Sequence, residues 1–182
     1  VCELCKSGAF WNCIAQRCHK NSLPASVVYT MESYFNRLLN KYDRVSRFLC
    51  PSNFLRTKLL EAGFAAERLV LLPNAIELSD FRPDYQHRDF VLFVGRLWAE
   101  KGVMTLLNAV RGLDIPVRVV GDGPLAQECL SFAQSNGMLN VRFEGYAAGE
   151  ELNALYRRAA FVAFPSQCYE NAPMTVLEAF AH

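Results

Sequence analysis

FVLFVGRLWAEKGVMTLLNAVRGL, residues Phe90 to Leu113, joins two patterns across one short loop. FVLFVG is a nearly continuous apolar run ending at Gly95, as expected of a strand buried on both faces. GVMTLLNAVRGL, beginning at Gly102, is an amphipathic stretch of helix length. The same alternation then repeats. VRVVG (Val117–Gly121) precedes PLAQECLSFAQSNG, which ends at the stop signal Gly137. VRFEG (Val141–Gly145) precedes GEELNALYRRA (Gly149–Ala159), and FVAFPS (Phe161–Ser166) precedes the closing APMTVLEAFAH. This spacing predicts an α/β fold, with βα units forming a parallel sheet covered on both faces. Such sheets bind ligands at the carboxyl ends of their strands. The loops at Gly95, at Gly121 with Gly123 and Pro124, and at Pro165 are therefore the places to look.

Upstream, the pattern predicts strands at Val27–Thr30 and Phe48–Cys50 and helices at Met31–Tyr42 and Ser52–Gly63, with Ser52 as N-cap. A further strand, Leu69–Leu72, ends at Pro73. The polar stretch Glu77–Asp89 holds Pro83 and little apolar periodicity, and it reads as a seam between domains. The expected division is 1–72, a linker at 73–89, and 90–182. The piece before the linker is too short for a whole α/β domain. A hydrophobic content of 52% with 20% charged residues is that of a globular protein. Its 19 basic and 18 acidic residues create no field for nucleic acid or an anionic membrane. The chain begins at Val1, shows no signal peptide, and contains no apolar run near the ~20 residues that span a bilayer. We expect a piece of a longer protein.

In GRLWAEKG (Gly95–Gly102), Arg96 and Lys101 flank the start of a helix. Two cations beside a helix N-terminus suit a diphosphate, because the backbone N–H groups and the dipole add to their charge. Arg offers a bidentate fork and Lys a point charge. The plainer reading is a pair of surface residues, one of them paired with Glu100. GDGP (Gly121–Pro124) is a tight turn whose glycines would let a ligand approach the backbone, or simply a turn with Pro124 at a helix start. In YENAPMTVLEAFAH (Tyr169–His182), Pro173 fits the first helical position, with Ala172 near the N-cap. Glu170 then lies in the loop and Glu178 about five residues into the helix. A helical carboxylate can accept from two vicinal hydroxyls, as on a ribose. Both glutamates also have plainer readings, as a solvated charge on an amphipathic helix and a carboxylate favoured by the dipole.

Taken in order, VLFVGRLWAEKG, VRVVGDGP, VRFEGY and FVAFPSQCYENAPMTVLEAFA resemble the donor-domain motifs of glycosyltransferase family 4, the retaining glycosyltransferases of GT-B fold. The resemblance runs from about Leu69 to the end. It implies most of a Rossmann-like, doubly wound donor domain with a partial N-terminal acceptor domain. It also implies a nucleotide-diphospho-sugar donor, UDP- or GDP-linked, and sugar transfer to an acceptor hydroxyl with retention and no catalytic metal. Arg96 and Lys101 would neutralise the diphosphate, and Glu170, first of the E-x7-E motif, would contact the donor sugar and support oxocarbenium charge. Glu178 would bind the ribose. The backbone of Gly95, Gly121 and Gly123, and that from Asn171 through Ala172 and Met174 to Thr175, would border the donor. PSNF (Pro51–Phe54) resembles the last strand-to-helix turn of the acceptor domain. PNAIE (Pro73–Glu77) resembles the linker motif P-N-G-[VI]-D, from which Ala75 and Glu77 depart. The acceptor-domain glycine loop and histidine are not recognisable, so His19, His87 and His182 receive no role, and the chain is expected to be inactive alone.

Seven cysteines are present, and Cys2, Cys5, Cys13 and Cys18 crowd together as C-x2-C-x7-C-x4-C. Four thiolates at this spacing would form a structural zinc site; the alternative is four reduced thiols packing beside Phe10 and Trp11. Cys50, Cys129 and Cys168 are scattered, unlike a secreted disulfide framework. A cytosolic enzyme follows, with contact at the inner membrane face left open. Its partners would be a nucleotide-sugar and a glycan, lipid-linked or small-molecule acceptor, without nucleic acid. The competing readings are a nucleotide-sugar epimerase of the same fold and a zinc-stabilised interaction module.

Overall fold

The computed structural model describes residues 3–19, 21–86 and 88–182. It forms two compact units, Val1–Pro73 and Asn74–His182. Among the described residues no helix is long and apolar enough to cross a membrane.

In the first unit a short helix α1 (Asn12–Ala15) precedes a long helix α2 (Leu23–Leu38). Ser22 caps α2 by accepting from the Ala25 N–H, with Pro24 in the first turn. The strand expected at Val27–Thr30 is thus the second and third turns of a helix. The reason is tertiary. Ser26 and Thr30, four residues apart on one helical face, are both buried. Thr30 donates to the Phe10 carbonyl at 3.2 Å, and Ser26 accepts from the His19 N–H at 3.1 Å. Those bonds hold the VVYT run against the α1 segment, overriding its β-branched preference. The helix ends early too, where Asn40 turns left-handed at φ 46° before a 3-10 turn at Lys41–Arg44. Strands β1 (Phe48–Cys50) and β2 (Leu69–Leu71) pair in parallel, Cys50 opposite Leu71. Between them lies helix α3 (Asn53–Glu61), capped by Ser52 as its sequence predicts.

The second unit carries a four-stranded parallel sheet of β3 (Phe90–Val94), β4 (Val117–Val120), β5 (Val141–Gly145) and β6 (Ala159–Val162). Its order is β5-β4-β3-β6. Helices α4 (Val103–Val110), α5 (Ala126–Ser135), α6 (Gly149–Arg158) and α7 (Met174–Ala181) follow the four strands in turn. Successive residues of β3 enter opposite cores, as a period of two requires. Val91 and Phe93 pack with Leu106, Leu107, Val110, Cys129 and Met138. Phe90 and Leu92 pack with Val120, Ala147 and Tyr156 on the other face. The off-pattern charges of β4 and β5 neutralise each other, Arg118 meeting Glu144 at 2.6 Å.

Strand β6 begins two residues earlier than its apolar run suggests. Arg158, the last residue of α6, pairs with Asp89 at 2.7 Å and accepts the Asp89 N–H, so the chain enters the sheet at once beside Phe90. It leaves after Ala163 donates to the Leu92 carbonyl, and Pro165, with no N–H, cannot extend the ladder. Because β4 and β5 lie on one side of β3 and β6 on the other, the direction of winding reverses between β3 and β6. In doubly wound sheets that reversal opens a crevice at the carboxyl ends of the strands.

Candidate functional site

Two loops leave the sheet at this crevice, residues 95–102 after β3 and 163–173 after β6. Gly95 donates to the Val120 carbonyl at 3.0 Å and Leu97 to that of Asp122 at 2.9 Å, tying the first loop to the end of β4. A 3-10 turn at Ala99–Lys101 then aims Lys101 across the crevice, and Gly102 takes φ 73° to start α4. The position admits no side chain, since a Cβ on Gly102 would lie 2.1 Å from the Pro165 carbonyl oxygen. The second loop is stitched to the first by Gln167, whose N–H donates to the Glu100 carbonyl at 2.8 Å and whose amide reaches Thr105 Oγ1 at 2.6 Å.

The result is a contact between residues 69 positions apart. Lys101 Nζ meets Glu170 Oε1 at 2.6 Å, with side-chain exposures of 22% and 21%. Ser166 donates to the same oxygen at 2.7 Å, and the Cys168 thiol stands 3.5 Å away. Lys101 therefore pairs with Glu170, whereas the plainer sequence reading pairs one of the two cations with Glu100. Burial alone would raise the Glu170 carboxyl. The hydrogen bonds from Lys101 and Ser166, the lysine charge and the thiol outweigh it and hold the group below its ordinary 4.5. Because the folded value is the depressed one, this stabilisation is complete above the unfolded value and is lost as pH falls through the folded one. Glu170→Gln is expected to lower stability by about 2 kcal/mol at neutral pH. The deficit should shrink below about pH 4.5, which urea denaturation of both proteins across pH would read.

The other residues predicted from the sequence take the following positions. Arg96 is exposed, with its guanidinium 5.8 Å from the Trp98 ring. Gly121 and Gly123 lie beside the backbone of the β3 loop, whose Gly95 and Leu97 carbonyl oxygens occupy the space their Cβ atoms would need. Asn171 is exposed, and the Ala172 carbonyl accepts from Asn74 at 2.9 Å. Helix α7 starts at Met174, one residue later than expected, because Pro173 keeps an extended ψ of 124°. Thr175 lies in its first turn. Glu178, half-buried, accepts from the Tyr156 hydroxyl at 2.9 Å. Ser166, Gln167 and Tyr156 were not singled out by the sequence. A serine directly after the strand-ending Pro165 was the one available signal, whereas Tyr156 reads as core on the apolar face of α6.

In the first unit Cys13 is buried, Cys5 half-buried and Cys18 exposed; Cys2 lies outside the described residues. Among the described residues no three His, Cys, Asp or Glu side chains stand together as a metal site.

A family model described as glycosyl transferases group 1 matches residues 88–182. The D-rhamnosyltransferase WbpZ of Pseudomonas aeruginosa is 40% identical over 169 residues, covering 82% of this chain and 44% of that protein. The O-antigen chain mannosyltransferase C of Escherichia coli is 34% identical over 122 residues, or 62% of this chain and 33% of that one. Among solved structures, Anabaena Alr3699/HepE in complex with UDP and glucose superposes with a TM-score of 0.67 at 20% identity, over 75% of this chain and 42% of its own. The lipopolysaccharide outer core galactosyltransferase WaaB gives 0.60 at 20% identity, over 75% and 41%. The chain thus spans between a third and a half of these proteins.

Proposed function

This chain belongs to the group 1 glycosyl transferases and has the GT-B fold, and from that premise we propose that its protein transfers a sugar from a nucleotide-diphospho-sugar to an acceptor hydroxyl with retention of anomeric configuration. The observation that carries the reading is the Lys101–Glu170 contact at the carboxyl ends of β3 and β6. It puts a cation for a departing phosphate and an anion for a developing sugar cation side by side, the two charges that breaking a glycosidic phosphate bond creates.

Lys101 keeps donors free beyond the one Glu170 takes, because an ammonium carries three. It and the exposed Arg96 neutralise the diphosphate, Arg96 by its planar fork. As the C1–O bond to the diphosphate lengthens, Glu170 stabilises the positive charge at C1. The acceptor oxygen bonds to C1 from the face the diphosphate leaves, and its proton passes to the departing phosphate oxygen. Glu178 accepts from the ribose diol. The named activities of the two bacterial relatives favour a glycan acceptor, and UDP in the Anabaena protein favours a uridine nucleotide.

Titration calorimetry with UDP, GDP and ADP tests this reading. One nucleotide should bind selectively, and Glu178→Ala should weaken it about 10-fold or more. A folded protein that binds none of the three would refute the donor-site assignment.

A further inference from the structure

The Glu178 carboxylate does not stand alone on α7. Tyr156, from the preceding βα unit, is 4% exposed, and its hydroxyl donates to Glu178 Oε2 at 2.9 Å. The phenol ring stacks on the His182 imidazole, with centroids 5.4 Å apart and planes 12° from parallel. Burial first, then the Glu178 charge and its hydrogen bond, push the Tyr156 pKa far above its ordinary 10. The phenol stays protonated, and its single proton goes to the carboxylate.

A glutamate side chain has three rotatable torsions, and a solvated one samples many rotamers. A vicinal diol presents two O–H donors at a fixed separation, so it is recognised well only by a carboxylate held still. Tyr156 occupies one lone pair of Oε2, which leaves Oε1 and the other Oε2 lone pair as acceptors. The phenol is itself immobilised by core packing and the imidazole stack.

We propose that Tyr156 is a positioning residue for donor recognition, its hydroxyl holding Glu178 in the orientation that accepts the 2′ and 3′ hydroxyls of the donor ribose. The proposal rests on Glu178 being the ribose ligand. It adds the residue, outside the E-x7-E pair, that gives that carboxylate its aim.

The test compares a ribonucleoside diphosphate with its 2′,3′-dideoxy counterpart, using whichever of UDP, GDP and ADP the protein binds. Wild-type protein should prefer the ribose form about 10-fold or more. Tyr156→Phe keeps the ring and the stack but removes the proton. It should lose about 10-fold on the ribose form and less than about twofold on the dideoxy form. In a Glu178→Ala background the same substitution should change neither affinity. Equal losses on both ligands would reduce Tyr156 to a packing residue and overturn the proposal. A wild type indifferent to the diol would instead remove Glu178 as the ribose ligand, and the proposal with it. The two failures are therefore distinguishable.

Discussion

Glu170→Gln should lower the turnover number for sugar transfer by about 10²- to 10³-fold while leaving nucleoside diphosphate affinity unchanged or improved. The substitution preserves shape and an oxygen that can accept from Ser166, whose hydroxyl lies 2.7 Å from the carboxylate. It deletes the negative charge that would face the sugar as its bond to the diphosphate breaks. It also frees Lys101, held at 2.6 Å by that charge, to serve the phosphates alone. A group that stabilises the transition state lowers kcat and kcat/KM together when removed, without raising KM. Steady-state kinetics of a protein carrying both GT-B domains, with the matching nucleotide sugar, and calorimetry of the diphosphate separate these effects. Weakened binding with unimpaired turnover would make Glu170 a ground-state binding group and remove it from the chemistry.

Gly121→Ala should be the most damaging single methyl group in the second unit, with a loss of about 3–5 kcal/mol in urea denaturation. Gly121 sits at φ 131°, a backbone conformation that side-chain-bearing residues rarely adopt. Its added Cβ would fall 1.9 Å from the Gly95 carbonyl oxygen and 2.9 Å from the carbonyl carbon. Neither atom is the tip of a flexible side chain. Gly95 is itself bonded to Val120, so relief requires the end of β3 to move away from β4. Arg96 would move with it. Nucleotide affinity should therefore fall together with stability, whereas a loss below about 1 kcal/mol would show that the loop yields easily and that the closeness of the two strand ends is not needed.

Much of the second unit was legible because strands buried on both faces must be apolar throughout, and helices covering a sheet must be amphipathic. Those constraints act within a few residues of each position, so Phe90–Val94 and the three units after it stand out in the residue order alone. The first unit was harder to read. VVYT has the composition of a strand, yet the hydrogen bonds that Ser26 accepts from His19 and Thr30 donates to Phe10 make it helical. A preference of a few tenths of a kcal/mol per residue yields to such contacts.

The βα repeat, the loops at the carboxyl ends of its strands, and the kinds of charge those loops carry can all be read from residue order. Which charge meets which depends on the folded arrangement of the strands and helices. Lys101 and Glu170 are joined because β3 and β6 are neighbours in the sheet, and Tyr156 and Glu178 because the Tyr156 hydroxyl reaches from α6 to α7. Periodicity reports whether a residue faces the core or the solvent. The partner of a charge depends on strand order, which follows from how the whole chain closes its core and leaves no mark at either residue.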